Sequence, residues 1–300
     1  MKPLRRLART GVCPTTRVGV VIALALLADP TAAAQQGAAP IQLPDWQRLE
    51  FKASKLFVTA RSSLEVELVD AADASSAWVP IETAHEPPPQ ITLVRSTASF
   101  LGRTSTTDVW LDPSDLRAFQ RHAVDSGSRQ RHKIYRFGRG EIRALRSEPE
   151  TKDEESLPEP QWTRRSEQRL ELQGTPLVTD PVAVFYLLSQ KPTTEQELQV
   201  VTSNTVGSVR VELAERGSVA TEAAIVSGDT TRPLGDNRAA LRYAVTPADP
   251  DSDFSLLGLE GAITVWVDEE FGVPLEVRGK ISPVGTVRVR LQAAVLRSTD

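Results

Sequence analysis

The sequence predicts an all-β protein built on one antiparallel sheet that carries a single short helix. Three observations lead there. Apolar and charged residues alternate in Leu64-Glu-Val-Glu-Leu68, Val209-Arg-Val-Glu-Leu213 and Val287-Arg-Val-Arg-Leu291, which puts the apolar set on one side of a pleated strand. Polar links of hairpin length, such as Gly138-Arg-Gly140 and Glu269-Glu-Phe-Gly272, separate such runs. Helical spacing is confined to one segment, Asp180-Pro-Val-Ala-Val-Phe-Tyr-Leu-Leu-Ser-Gln190.

From the N-terminus, Lys2, Arg5, Arg6, Arg9 and Arg17 precede an uncharged apolar run over 18–27, and Ala32-Ala-Ala34 follows it. This predicts a secretory signal peptide over 1–34, cleaved after Ala34. A run of about ten apolar residues is too short for the ~20 that a spanning helix needs, so no transmembrane segment is expected in the mature chain. Cys13, the one cysteine, would leave with the signal, and Gln35 stands where a lipid-anchored N-terminal cysteine would be. Disulfides and cysteine metal sites are thereby excluded. Residues 1–34 hold five basic residues and one aspartate, so their removal takes the formal charge from −4 to −8. Nucleic acid is a poor partner for so acidic a chain.

Residues 35–300 are expected to form a single β domain. Residues 35–44 read as a leader. Strands are predicted over 49–59, 64–68, 91–101, 107–111, 116–124, 132–136, 141–146 and 162–172, and short links make consecutive strands neighbours, as in a meander. Residues 71–90, rich in Ala, Ser and Pro, read as an irregular connection. Residues 147–160 carry Glu148, Glu150, Asp153, Glu154, Glu155 and Glu159 with few apolar residues, predicting a mobile acidic loop. In the helical segment, Asp180 suits the N-cap and Pro181 the first turn, while Val184, Phe185 and Leu188 share one side. This helix is expected to dock on the sheet and close an open end of the core. Further strands are predicted over 197–202, 209–213, 239–245, 263–267, 274–281 and 287–291.

No set of residues amounts to a reaction centre, and no catalytic, cofactor or metal site is expected. His85, His122 and His132 are the only imidazoles, and no Gly-x-Ser-x-Gly elbow accompanies them. Asp268, Glu269 and Glu270 could face Asp112 if the similar Trp110-Leu-Asp and Trp266-Val-Asp endings were adjacent, but a solvated turn accounts for the cluster. Asp249, Asp251, Asp253 and Glu260 stand at places one, three, five and twelve of a calcium-loop plan, with Phe254 where that plan needs Gly. The basic run Arg129, Arg131, His132, Lys133, Arg136, Arg139, Arg143 and Arg146 reads as a wet strand side balanced by the acidic loop; contact with anionic lipid or polysaccharide is the alternative.

Val265-Trp-Val-Asp268, Pro274-Leu-Glu-Val277 and Gly285-Thr-Val-Arg-Val-Arg-Leu291 resemble the end of the bacterial envelope family called domain of unknown function 3108. Asp180-Pro181 with Tyr186-Leu-Leu188 is similar to that family's central helix, and Tyr135-Arg-Phe137 to the strand before it. Order and spacing agree from about Leu49 to Leu296; the Gly-free stretch 49–68 departs from the pattern. The resemblance implies a curled open half-barrel, similar in architecture to periplasmic lipoprotein carriers, with an apolar concave side and a helix as lid. The expected function is that of a non-enzymatic carrier or binding module in the periplasm for an apolar or lipid-like envelope ligand. Val265, Trp266, Val267, Val287, Val289 and Leu291 are candidate wall residues. The alternative is a structural or interaction protein of the envelope that pairs through exposed strand edges.

Overall fold

Most apolar-polar alternating runs in the first half of the chain end in links that admit only an antiparallel neighbour. The computed structural model describes residues 43–298, apart from 56, 57, 101, 128, 129, 174, 175, 203 and 204, all within the unit Pro40–Asp300. The predicted signal peptide lies outside the described residues. Eight strands follow one another: β1 (Trp46–Lys55), β2 (Val58–Asp70), β3 (Gln90–Phe100), β4 (Arg103–Leu111), β5 (Ala118–Ser126), β6 (Arg131–Gly138), β7 (Glu141–Glu148) and β8 (Arg164–Glu171). Each pairs antiparallel with the next. A five-residue helix, α1 (Ala71–Ser75), follows β2.

The second half keeps chain order among its long strands and adds short elements beside them. Its elements are β9 (Val178–Thr179), α2 (Ala183–Ser189), β10 (Gln196–Val201), β11 (Val206–Val219), β12 (Ala224–Ser227), β13 (Thr230–Pro233), β14 (Arg238–Pro247), β15 (Ser255–Leu256), β16 (Leu259–Asp268), β17 (Pro274–Ile281) and β18 (Gly285–Leu296). β9 lies parallel to β10. From there the ladder runs β10, β11, β14, β16, β17, β18. It then passes to β1, with Trp46 opposite Leu296 and Ala53 opposite Val289. The β12–β13 hairpin joins β18 at Ala293–Val295, past the last residues that β17 pairs. The result is one large curled sheet, not closed: among the described residues no ladder joins β8 to β9.

Apolar residues of the inner side form the main core with α2, whose residues Ala183 to Leu188 are all buried. Phe185 meets Phe51 with ring centroids 6.2 Å apart. The regular helix begins later than the sequence predicts, with Val182 and not Asp180 at its N-cap, and Asp180 holds the turn just before it. Its Oδ1 accepts the Val182 N–H at 3.0 Å and its carbonyl accepts that of Ala183 at 2.9 Å.

A smaller core covers part of the outer side. The segment after α1 folds back there, and Trp78 stacks on Phe119 at 5.5 Å with Trp110 edge-on at 6.4 Å. A bulge opposite Trp110 and Leu111 makes Phe119 an extra residue, which turns it to this side. The acidic stretch is organised as two 3-10 turns, Glu154–Ser156 and Glu159–Gln161. The Glu154 carboxylate accepts the N–H groups of Glu150 and Thr163, and buried Trp162 donates to the Leu157 carbonyl at 3.0 Å. Among the described residues, no helix is long and apolar enough to cross a membrane.

Candidate ligand-binding groove

Side-chain size changes along the inner side of β2, β3 and β4. Toward α2 these strands present Leu64, Val94 and Val109, all in the core. Toward the other end they present Ala60 and Ser62, Ser96 and Ala98, and Ser105 and Thr107. Cross-strand register groups these small residues, with Ser62 opposite Ala98 and Ala98 opposite Ser105. Small residues cannot fill the concavity that large ones fill beside the helix, and space remains.

One part of that space is an apolar groove of about 350 Å³, walled by Ala98, Phe100, Ile281, Val284, Val287 and Val289. Phe100 is 43% exposed and Val284 40%, so two large apolar side chains face water where a core would hide them. A polar pocket of about 300 Å³ adjoins it and contains Thr107, Arg121, Lys133, Tyr135, Asp180 and Asp253. Ala98, Leu257 and Gly258 line both. Leu257 and Gly258 form the two-residue turn between β15 and β16, at φ of 53° and 76°. Glycine adopts such values freely, but a leucine rarely does. This turn sets Leu257 at the boundary of the two spaces.

Charge on the inner side is mostly paired. Arg121 lies 3.2 Å from Asp180, and its guanidinium stands 5.6 Å from the Tyr135 ring centroid. Arg131 donates to Asp125 at 2.9 Å, and the Ser105 hydroxyl donates to the same carboxylate at 2.8 Å. Burial alone would push Asp125 up, but those hydrogen bonds outweigh it and its pKa is lowered. Arg146 donates to Glu148 at 2.6 Å. The Lys133 ammonium is the exception, with no hydrogen bond or ion pair among the described residues. Burial, and then Arg131, Arg146 and Arg121, lower its pKa against the smaller opposite pull of Asp125.

The candidate wall residues separate. Val287 and Val289 line the groove. Val265, Val267 and Leu291 lie in the filled core. Trp266 projects on the alternate side of its strand, 5.9 Å from the Arg242 guanidinium, and its ring is what a Cβ on Gly217 would touch. The other wall residues, above all Ala98 and Phe100, belong to Ser96-Thr-Ala-Ser-Phe100, where no apolar alternation announces them.

The remaining candidates resolve differently. β4 and β16 are not neighbours in the ladder, so Asp112 and Asp268 do not form a pair across strands. Nor is Asp268 solvated: it is fully buried, held by Arg238 at 2.7 and 3.1 Å. The calcium-plan carboxylates are not gathered, since among the described residues no three His, Cys, Asp or Glu side chains are placed to hold a metal ion. Phe254 is buried instead. The basic run divides by strand parity. Lys133 lines the polar pocket, whereas Arg136 is buried on the outer side, 4.6 Å from the Trp78 ring, donating to the carbonyls of Val79 and Phe119. His132 packs between His122 and Trp162, at 5.4 and 5.1 Å. Compared with known proteins, the chain matches no family model, no curated protein and no solved structure.

Proposed function

We propose that this protein is a non-enzymatic carrier or binding module for an apolar or lipid-like ligand, acting in the periplasm after export. The groove carries the reading: an unfilled apolar trough with Phe100 and Val284 exposed at its wall has the size and lining of a small-molecule site. The basic-then-apolar start of the sequence supports export. The resemblance of its C-terminal strands to an envelope family supports the location. Pairing with a protein through a free strand edge is less favoured. The edge strand β8 carries Arg164, Arg165, Glu167, Arg169 and Glu171, charges of the kind that block edge-to-edge association.

Native mass spectrometry of gently purified protein, followed by titration of delipidated protein with dodecanol against a displaceable Nile red probe, tests the reading. One saturable site is expected. Ala98→Trp fills the trough and should weaken dodecanol at least tenfold with an unchanged circular dichroism spectrum. Wild-type protein that emerges empty and shows no saturable uptake would overturn the proposal.

A further inference from the structure

The groove and the polar pocket share Ala98, Leu257 and Gly258, so one elongated molecule can occupy both. An apolar tail in the groove would bring its other end among Thr107, Arg121, Lys133 and Tyr135. The character of that end follows from the charges. Arg121 is committed to Asp180, Arg131 to Asp125 and Arg146 to Glu148. Asp180 accepts the Val182 N–H through Oδ1, its buried Oδ2 faces Arg121 alone, and Asp253 is not free either.

Lys133 is left over. It is half withdrawn from water, faces three arginines whose charge disfavours its own, and forms no ion pair among the described residues; the one acid that favours its charge, Asp125, is already bound by Arg131 and Ser105. A cation held there, outnumbered by like charges and with its one opposing charge shared with Arg131, raises the energy of the empty protein. The Arg121 Nε, on the same wall, is also buried with no hydrogen-bond partner. A cavity whose wall holds an ammonium without an ion pair of its own and an unused guanidinium N–H, open at one end to an apolar trough, matches a negatively charged oxygen group joined to an alkyl chain.

Resting on the groove reading above, we infer that the ligand is a single-chain anionic amphiphile, its carboxylate or phosphate head bound by Lys133 beside Arg121 and its alkyl chain lying along Ala98, Phe100 and Val289. Lys133 is therefore a specificity residue retained at a cost to stability, the usual trade at a binding site.

The test compares dodecanol, laurate and dodecyl phosphate, equal in chain length, on wild-type protein, Lys133→Gln and Lys133→Arg. Both anions should bind wild-type protein at least tenfold more tightly than the alcohol, as a charge-assisted contact implies; the tighter of the two identifies the head group. Lys133→Gln should bring the anions to the level of the alcohol, leave the alcohol within about twofold, and melt no lower than the wild type when empty. Lys133→Arg should keep the preference. If the three probes bind wild-type protein equally, the head-group inference fails while the groove stands. If Lys133→Gln weakens all three alike, Lys133 is only structural and the inference fails. If no probe binds wild-type protein, the groove reading falls and this one with it.

Discussion

Asp268 shows what a single turn carboxylate does in this sheet. It is fully buried, and it accepts two hydrogen bonds from Arg238 and two more from the N–H groups of Glu270 and Phe271, at 3.0 and 2.9 Å. Asp268→Ala would leave Arg238 with Glu270 alone and open two turn amides, and should cost about 1–3 kcal/mol, the usual penalty for a buried hydrogen-bonding group that loses its partner. A lowered urea midpoint with unchanged slope checks it. The neighbouring Glu270 is 59% exposed at its side chain and adds a second contact to Arg238 at 2.8 Å. Sequence reasoning could not separate the two, because burial of an acid depends on which arginine a distant strand delivers, and Arg238 comes from β14. The same limit hid Arg136, whose place under Trp78 depends on a segment 57 residues earlier in the chain.

Among the elements, α2 and the β16–β17 hairpin constrain each other. Gly272 sits at φ 63°, and a Cβ built on it would lie 2.6 Å from the Ser189 carbonyl oxygen at the end of α2. Gly272→Ala therefore combines backbone strain with a collision against the helix, and should cost about 1–3 kcal/mol. Thermal denaturation should show the drop, while Gly235→Ala, with φ 92° but open space around it, should show a smaller one. Long alternating strands were legible from sequence, and β17 matches its expected bounds of 274–281. β9, β12, β13 and β15 were not, since two to four residues cannot display a period. α1 was likewise missed within a stretch rich in Ala, Ser and Pro. The groove strands were visible as strands but not as a wall. Their small inner residues bury little apolar surface, and vacancy between side chains leaves no compositional mark.

At the scale of the molecule, one ladder joins the two halves: β18 against β1, with the ends of the described chain lying side by side. Sequence predicted a meander, which holds from β1 to β8 and again from β10 to β18 for the long strands; what it did not predict is the β12–β13 insertion, the parallel β9 and the ladder that joins the two halves. Link length encodes the nearest neighbour and says nothing about pairing across more than two hundred residues, which must overcome the entropy of closing so large a loop. Removing residues 285–298 would deprive both β1 and β17 of a partner. The truncated protein should lose the cooperative unfolding transition of the full chain, and a cooperative urea curve with the original midpoint would contradict that expectation.

The stitching continues past the ladder. The Arg297 N–H donates to the Asp45 carbonyl at 2.7 Å, and its guanidinium donates to the carbonyls of Pro44 and Val66 at 3.1 and 2.9 Å. The open seam lies elsewhere, between β8 and β9, which only the covalent link over 172–177 connects in sequence. Splicing residue 298 to residue 43 and cutting that link would yield a circular permutant that starts at β9 and ends at β8. Its backbone would then follow the sheet from one free rim to the other, turning the longest-range pairing in the fold into a local hairpin.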